Sequence, residues 1–377
     1  MLGGLFKRWR NAPPATIKEE EVRRLYDSVP VTLLTGFLGS GKTTLLNDIL
    51  ADTRMQGTAV IVNEFGTVPI DHYLVRKGSE TYFRTTTGCI CCTATSDIRS
   101  SLSELHDARL RGDIPPVLRV VIETTGLADP APIINSIIPG GLPAMGLRDH
   151  VVARHFHLAR VVTAFDVLNG RATLNSFLEG WKQLAFADHV ILTKTDISDT
   201  GHDWPEELRA LNPAATYHER HRQGFDLAGL FGDGAYSVTG KAEDVPGWLA
   251  MERLGAHADH THDLNRHGDE IEAISLSHDV PLSLQAVETF LHIVTTNIGS
   301  GLLRLKGMFA LTDDPSCPLV AHAVQHRLYP LQRLDHWPDR DHRSRVVLIG
   351  QNMPVKPIRD LFKVLAPRTA RARRRAA

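Results

Sequence analysis

Short, continuous apolar runs alternate with helical stretches along the N-terminal part of the chain. A strand buried on both faces is apolar along its whole length, so these runs predict a parallel sheet covered by helices on both faces. The predicted strands are Val31–Thr35, Thr58–Val62, Leu118–Ile122, Arg160–Phe165 and His189–Thr193. A helix is predicted at Lys42–Ala51, directly after the first strand and the loop that follows it.

A second and smaller pattern occupies the C-terminal part of the chain. Its predicted strands are Glu270–Ser277, Gly301–Leu311, Leu319–Gln325 and Arg345–Ile349, and its predicted helices are Ser283–Thr296 and Val355–Leu365. Strands on either side of two helices predict a small α+β sandwich. The fold class is therefore α/β with a mostly parallel sheet, followed by a smaller α+β domain.

Polar stretches divide the chain into five parts. We expect a loosely ordered leader at 1–29, a first domain at 30–240, a linker rich in histidine and aspartate at 241–269, a second domain at 270–366 and a basic tail at 367–377. The length of 377 residues is enough for two domains that each have a core. The basic tail is expected to be solvated rather than to bind nucleic acid.

The composition excludes several classes of partner. With 42% hydrophobic and 23% charged residues and a net charge of −1, the chain has no bulk attraction to nucleic acid or membranes. We find no apolar run long enough to span a bilayer, and we expect no signal peptide. Three of the four cysteines lie within four positions, which is not a disulfide framework. A reducing, cytoplasmic location is therefore expected.

The first predicted strand runs into a glycine-rich loop, GFLGSGKT at residues 36–43. In such a loop backbone N–H groups surround phosphate oxygens, the lysine neutralises the β and γ oxygens, and the threonine hydroxyl binds Mg²⁺. The position between an apolar strand and a helix is the context that this motif requires, so we expect a phosphate-loop NTPase domain. The predicted nucleotide-binding residues of the loop are Gly36, Gly39, Ser40, Gly41, Lys42, Thr43 and Thr44.

The choice of base is predicted from Thr193, Lys194 and Asp196, which follow a later buried strand. A carboxylate at this position can accept hydrogen bonds from the ring N–H and the exocyclic amine of guanine. Adenine lacks both donors, so Asp196 would be left unpaired against it. The stem of Lys194 can lie along the base. The alternative is an ordinary surface pair of a lysine and an aspartate.

Two further motifs begin at the carboxyl ends of predicted strands, NEFG at residues 63–66 and ETTGLADP at residues 123–130. Ligands bind at that edge in open α/β sheets. Glu123 is a candidate for holding Mg²⁺ through a water molecule, and Gly126 can approach the γ-phosphate. Glu64 is a candidate for binding metal or positioning the attacking water. Its alternative role is capping a helix or forming a salt bridge.

Cys89, Cys91 and Cys92 follow Gly88 and can converge on one soft metal ion if the loop is tight. Three thiolates leave a fourth position open, which suits loading and transfer better than a closed structural zinc site. Glu64, a histidine or a partner protein could supply the remaining ligand. The alternatives are small buried side chains or a disulfide between adjacent cysteines.

Histidines outside these motifs are less informative. The linker histidines His257, His260, His262 and His267 could capture a divalent metal, and a solvated linker is an equal alternative. His155 and His157 precede a strand and are expected to have local packing roles. The isolated Cys317 is also expected to be a packing residue.

In their order along the chain these motifs resemble the CobW-like metallochaperone GTPases. The resemblance rests on residues 36–44, 63–66, 70–72 (IDH), 88–92 (GCICC), 123–130 and 193–196 (TKTD), and it continues into 304–307 (RLKG), 324–326 (VQH) and 344–350 (SRVVLIG). It implies a GTPase of low intrinsic activity that uses GTP and Mg²⁺. It also implies that the cysteines bind Zn²⁺ or a related ion such as Co²⁺, Fe²⁺ or Ni²⁺.

The expected partner is a client apo-metalloprotein or a cofactor-synthesis enzyme, and a homodimer is one possible assembly. Thr67 follows Gly66 where the family usually carries a glutamate, so metal preference or its coupling to hydrolysis is expected to differ. Two other hypotheses remain open. One is a GTPase of cobalamin-type cofactor biosynthesis with a structural metal site, and the other is a metal-storage or sensing module.

Overall fold

The computed structural model describes residues 28–62, 82–84, 90–138, 146–197, 204–232, 271–298 and 301–365, with the backbone alone at 82–84, 90–97 and 147. The first sheet contains seven strands: β1 (Val29–Thr35), β2 (Thr58–Val62), β3 (Tyr82–Arg84), β4 (Arg119–Glu123), β5 (Phe156–Asp166), β6 (His189–Thr193) and β7 (Thr216–Glu219). All are parallel, in the order β3-β2-β4-β1-β5-β6-β7.

Helices cover both faces of this sheet. They are α1 (Lys42–Ala51), α2 (Ile90–Arg111), α3 (Pro130–Ile137), α4 (Leu147–His155), α5 (Gly170–Ser176), α6 (Leu178–Phe186), α7 (Trp204–Leu211) and α8 (Leu227–Phe231). Val31 and Leu33 of β1 pack on the face covered by α2 to α7, whereas Leu34 packs with α1 and α8 on the other. The five inner strands, β1, β2, β4, β5 and β6, are buried on both sides, which explains their continuous apolar runs.

The predicted α/β fold class is confirmed. β2, β6 and α1 have the predicted bounds, and β5 begins at Phe156, earlier than the predicted start at Arg160. Two edge strands, β3 and β7, were not predicted. Across the part of the chain that the structure describes, every helix is too short or too polar to cross a membrane.

The second sheet is antiparallel and consists of β8 (Ile271–His278), β9 (Leu302–Phe309), β10 (Leu319–Val324), β11 (Arg327–Leu328), β12 (Gln332–Arg333) and β13 (Ser344–Gln351). Two helices, α9 (Leu284–Asn297) and α10 (Val355–Lys363), pack together on one face of this sheet. The ring centroids of Phe290 and Phe362 lie 5.1 Å apart there. The expected sandwich is therefore one sheet with both helices on the same side. Among the described residues, the other face of this second sheet carries no helix of the second domain.

That other face packs against the first domain. Leu303, Val347 and Ile349 of the second sheet share one hydrophobic cluster with Trp181 and Leu184 of α6. This shared core explains why the second sheet needs helices on only one of its faces, because an apolar sheet face must be buried against something.

A buried ionic cluster lies within the same interface. The carboxylate of Asp188, just after α6, forms ion pairs with Arg304 and Lys306 of β9, and the Lys306 Nζ lies 2.7 Å from it. It also accepts a hydrogen bond from the backbone N–H of Val161 at 2.8 Å. Arg304 additionally donates to the carbonyl of Phe186. Burial alone would raise the pKa of Asp188, but the two cations hold it well below its usual range. The carboxylate is therefore charged and fully paired.

Candidate functional site

The phosphate loop lies between β1 and α1 with its cradle already formed. Gly41 caps α1 with a φ of 87°, a left-handed conformation that favours glycine. The Nζ of Lys42 donates to the carbonyls of Gly36 (2.9 Å) and Phe37 (3.0 Å). The hydroxyl of Ser40 is buried without a hydrogen-bond partner among the described residues. An orphaned hydroxyl in a loop with a positive lysine fits an anionic ligand.

Thr43 and Glu123 come together across two neighbouring strands of the sheet. The Thr43 hydroxyl donates to the Glu123 carboxylate at 3.0 Å, although 80 residues separate them. Glu123 ends β4 and is 6% exposed, while Thr43 lies on the first turn of α1. A hydroxyl and a carboxylate side by side are the hard oxygen donors that Mg²⁺ prefers. These residues therefore fit that ion. Thr44 is exposed on the same turn.

The segment after Glu123 packs directly on the phosphate loop. A Cβ on Gly126 would lie 2.5 Å from the backbone N of Leu38, so only glycine fits at this contact. The buried amide of Gln183 on α6 donates to the carbonyls of Gly126 (3.0 Å) and Ala128 (3.1 Å). Gln183 was missed in the sequence analysis because no local motif marks it, and its role depends on α6 lying beneath the segment.

The end of β6 is tied to the phosphate loop. Thr193 donates through its hydroxyl to the carbonyl of Ser40 at 2.9 Å. Lys194 has a φ of 61°, and its Nζ pairs with Asp166 at 2.6 Å. Burial would raise the pKa of Asp166, but hydrogen bonds from Lys194 and Asn169 lower it. Asp166 was also missed, and it fixes the lysine whose stem is predicted to lie along the base.

Asp196 lies at the same edge, in the turn that the Ile197 N–H closes on the carbonyl of Lys194 (3.3 Å). Its Oδ1 is 3.1 Å from the Nε2 of His221, which follows β7. Both side chains are about half exposed. The carboxylate predicted to select guanine is therefore accessible and has a histidine neighbour that the sequence analysis did not identify.

The predicted metal ligands are only partly described. Glu64 and Cys89 lie outside the described residues, as do Thr67 and the linker histidines. Cys91 and Cys92 are described by their backbone alone, in the first turn of α2. The chain is helical from Ile90, and the later side chains Ile98, Leu102 and Leu105 of this helix are fully buried. No cluster of three metal-ligating side chains occurs among the residues described.

The remaining candidates make local contacts. The rings of His155 and His106 lie 4.3 Å apart. The Nδ1 of His157 is 2.7 Å from the hydroxyl of Ser28, and burial lowers the pKa of His157. The thiol of Cys317 donates to the carbonyl of Asp335 at 3.2 Å. These contacts agree with the packing roles expected from the sequence.

Two protein-family models match the chain. The model described as "CobW/HypB/UreG, nucleotide-binding domain" matches residues 30–219. The model described as "Cobalamin synthesis protein cobW C-terminal domain" matches residues 271–366. Together they cover both sheets.

Individual proteins match as well. The zinc chaperone YjiA of Escherichia coli is 31% identical over 334 residues, which are 89% of this chain and 98% of that protein. The zinc-regulated GTPase metalloprotein activator 1 of Schizosaccharomyces pombe is 34% identical over 178 residues, 45% of this chain and 40% of that protein. The crystal structure of Zn(II)-bound YjiA GTPase has a TM-score of 0.66 at 25% identity, covering 90% of this chain and 100% of that one. A Zn(II)-bound triple mutant of that GTPase, with one glutamate and two cysteines replaced by alanine, has a TM-score of 0.65.

Proposed function

The chain belongs to the CobW family, whose nucleotide-binding and C-terminal domains it carries in that order, and from this membership we propose that it is a GTP-hydrolysing metallochaperone. The resemblance seen in the sequence is thereby confirmed. The protein binds Zn²⁺ or a related ion at Cys89, Cys91 and Cys92 and delivers it to a client apo-metalloprotein or a cofactor-synthesis enzyme. The names of the relatives, a zinc chaperone and a zinc-regulated GTPase, support zinc as the cargo.

The main support for GTP binding and hydrolysis is the contact of Thr43 with Glu123 beside a preformed phosphate loop. When GTP binds, Lys42 exchanges the carbonyls of its own loop for phosphate oxygens. Thr43 and Glu123 would hold Mg²⁺, which would neutralise charge on the phosphates. In this proposal Glu123 and Glu64 orient the attacking water, and catalysis rests on electrostatic organisation without a covalent intermediate.

Asp196 supports guanine as the base. Its exposed carboxylate can accept from the ring N–H and the exocyclic amine, and Lys194 is fixed nearby by Asp166. Changing Asp196 to asparagine exchanges an acceptor for a donor, which suits the C2 carbonyl of xanthine. We therefore expect Asp196→Asn to turn over XTP in preference to GTP.

The helix α2 supports the cysteines as a transfer site. The described part of the helix is anchored in the core through Ile98, Leu102 and Leu105, whereas Cys91 and Cys92 lie on its first turn. A change of this first turn can alter the metal's environment and leave the core intact.

The nucleotide half is tested by measuring GTP hydrolysis with Mg²⁺ for the wild type, Lys42→Ala and Glu123→Gln. Lys42→Ala should abolish turnover, since it removes the phosphate-neutralising charge. Glu123→Gln keeps the hydrogen bond with Thr43 but removes a charge, so it should require a higher Mg²⁺ concentration. Turnover of GTP by Lys42→Ala at the wild-type rate would instead favour a metal-storage or sensing module.

The metal half is tested with Cys91→Ser against the matched control Cys317→Ser. Zinc affinity is measured by competition with a chromophoric chelator, so that the dissociation constant is determined and not only the presence of bound zinc. Cys91→Ser should weaken zinc binding by at least about tenfold and remove any effect of zinc on the GTPase rate. Cys317→Ser should do neither. Equal behaviour of the two variants contradicts the cargo role of the cysteines.

A further inference from the structure

Asp196 is paired with a histidine from the neighbouring strand. β6 and β7 run parallel, so the residues that follow them meet at the same edge of the sheet. Asp196 lies three residues beyond Thr193, and His221 lies two beyond Glu219. Their side chains approach to 3.1 Å between Oδ1 and Nε2. The topology therefore brings an imidazole donor to the carboxylate that the proposed function assigns to the base.

His221 is held in place from both sides. The N–H of Arg220 continues the strand pairing by donating to the carbonyl of Leu192 at 2.9 Å. Its guanidinium bonds Asp48 of α1 at 2.8 Å. The N–H of Arg222 closes a turn on the carbonyl of Glu219 at 3.2 Å. The backbone on either side of the histidine is thus tied to β6 and to its own strand, and α1 is joined through Arg220.

The cations near Asp196 are engaged elsewhere. Lys194 pairs with Asp166, and Arg220 pairs with Asp48. The imidazole of His221 is therefore the nitrogen donor that the described structure places against the Asp196 carboxylate. A carboxylate oxygen has two lone pairs, so Oδ1 can accept from His221 and still accept from a ligand.

We propose that His221 is a positioning residue for guanine recognition, which orients the Asp196 carboxylate so that its two oxygens face the two adjacent N–H donors of the base. The inference rests on the proposed function, because it needs Asp196 to read the base. Guanine presents two parallel donors, so its recognition depends on the plane of the carboxylate. Hypoxanthine, which lacks the exocyclic amine, presents only one donor and depends less on that plane.

The test measures equilibrium dissociation constants of GDP and IDP for the full chain with Mg²⁺. His221→Phe keeps a planar ring but removes the donor, and His221→Gln places an N–H donor near the position of Nε2. His336→Phe makes the same substitution at an exposed site of the second domain. We expect His221→Phe to weaken GDP binding about fivefold and IDP binding clearly less, a modest effect because the pair is half exposed. His221→Gln and His336→Phe should keep the wild-type ratio of the two constants.

An unchanged GDP to IDP ratio in His221→Phe would overturn the inference, and so would an equal loss in His221→Gln. A failure of the proposed function has a different signature. In that case the wild type itself does not distinguish GDP from IDP or ADP, and the role of Asp196 falls together with that of His221.

Discussion

Arg304 of β9 and Asp188, which follows α6, form a buried ion pair that joins the two sheets. Each of the two residues is only 8% exposed, and Lys306 completes the cluster. Because Arg304 also binds the carbonyl of Phe186, the C-terminal domain holds the carboxyl end of α6. The same helix carries Gln183, which bonds the segment after Glu123. The nucleotide site and the second domain therefore share one helix.

Removing one partner of this pair should destabilise the protein strongly. Arg304→Gln leaves Asp188 buried with a single cation, and a buried carboxylate that loses a partner costs about 3 kcal/mol. The free energy of unfolding in urea measures this loss. The control is Arg343→Gln, which removes a half-exposed arginine from Asp341 and should cost less than about 1 kcal/mol. Equal losses in the two variants would show that the interface pair is not important for stability.

Part of the change in the free energy of unfolding with pH should come from His322. Burial first, and then the charges of Lys306 and Arg304, lower the pKa of His322 to about 3. The unfolded chain has a histidine pKa of about 6.5, so protons bind the unfolded state more strongly. Neutral His322 therefore makes its full contribution to the free energy of unfolding above about pH 6.5. That contribution is lost progressively as the pH falls toward about 3.

At about pH 5 this loss amounts to about 2 kcal/mol. His322→Asn removes the titrating group and should therefore lose less stability between about pH 7.5 and about pH 5 than the wild type does. Urea unfolding at both pH values measures the difference. His155 and His157, whose pKa values are also lowered, remain in both proteins and cancel in the comparison. Parallel pH profiles for wild type and variant would contradict this assignment.

Gly126 should not tolerate even one methyl group. The added Cβ of Gly126→Ala meets the backbone of Leu38, so the phosphate loop or the segment after Glu123 must move. We expect about 1–3 kcal/mol of strain and a GDP affinity at least about fivefold weaker. The matched control is Gly146→Ala, where a Cβ meets nothing within 4 Å. A Gly126→Ala variant that binds GDP like this control would show that the contact with Leu38 is not needed.

The sequence predicts those elements whose burial is complete. β2 and β6 are apolar along their length because both of their faces are covered, and their predicted bounds match. β7, with the sequence TYHE, lies at the edge of the sheet and is only partly buried, so no apolar run marks it. β3 is also an edge strand and has only three residues. A strand in this position needs fewer apolar side chains, which is why periodicity does not reveal it.

Residues of the candidate site can likewise be predicted from the sequence only where a local motif marks them. Lys42 and Thr43 are recognisable because the loop, the strand and the helix are consecutive in sequence. Gln183 and His221 come from elements distant in sequence. Their contacts exist only because α6 packs against the segment after Glu123 and β7 pairs with β6. Local motifs therefore locate the groups proposed to bind the nucleotide, whereas the distant residues that contact the site are found only from the tertiary structure.

In the proposed function nucleotide state and metal binding are coupled, because a nucleotide can drive metal release only through a difference in metal affinity. This coupling is tested most directly by titrating Zn²⁺ against a competing chelator in two states, one with a non-hydrolysable GTP analogue and one with GDP. The dissociation constants for zinc should differ by about tenfold between the two states, and the difference should disappear in Cys91→Ser. Equal zinc affinity in the two nucleotide states of the wild type would contradict it.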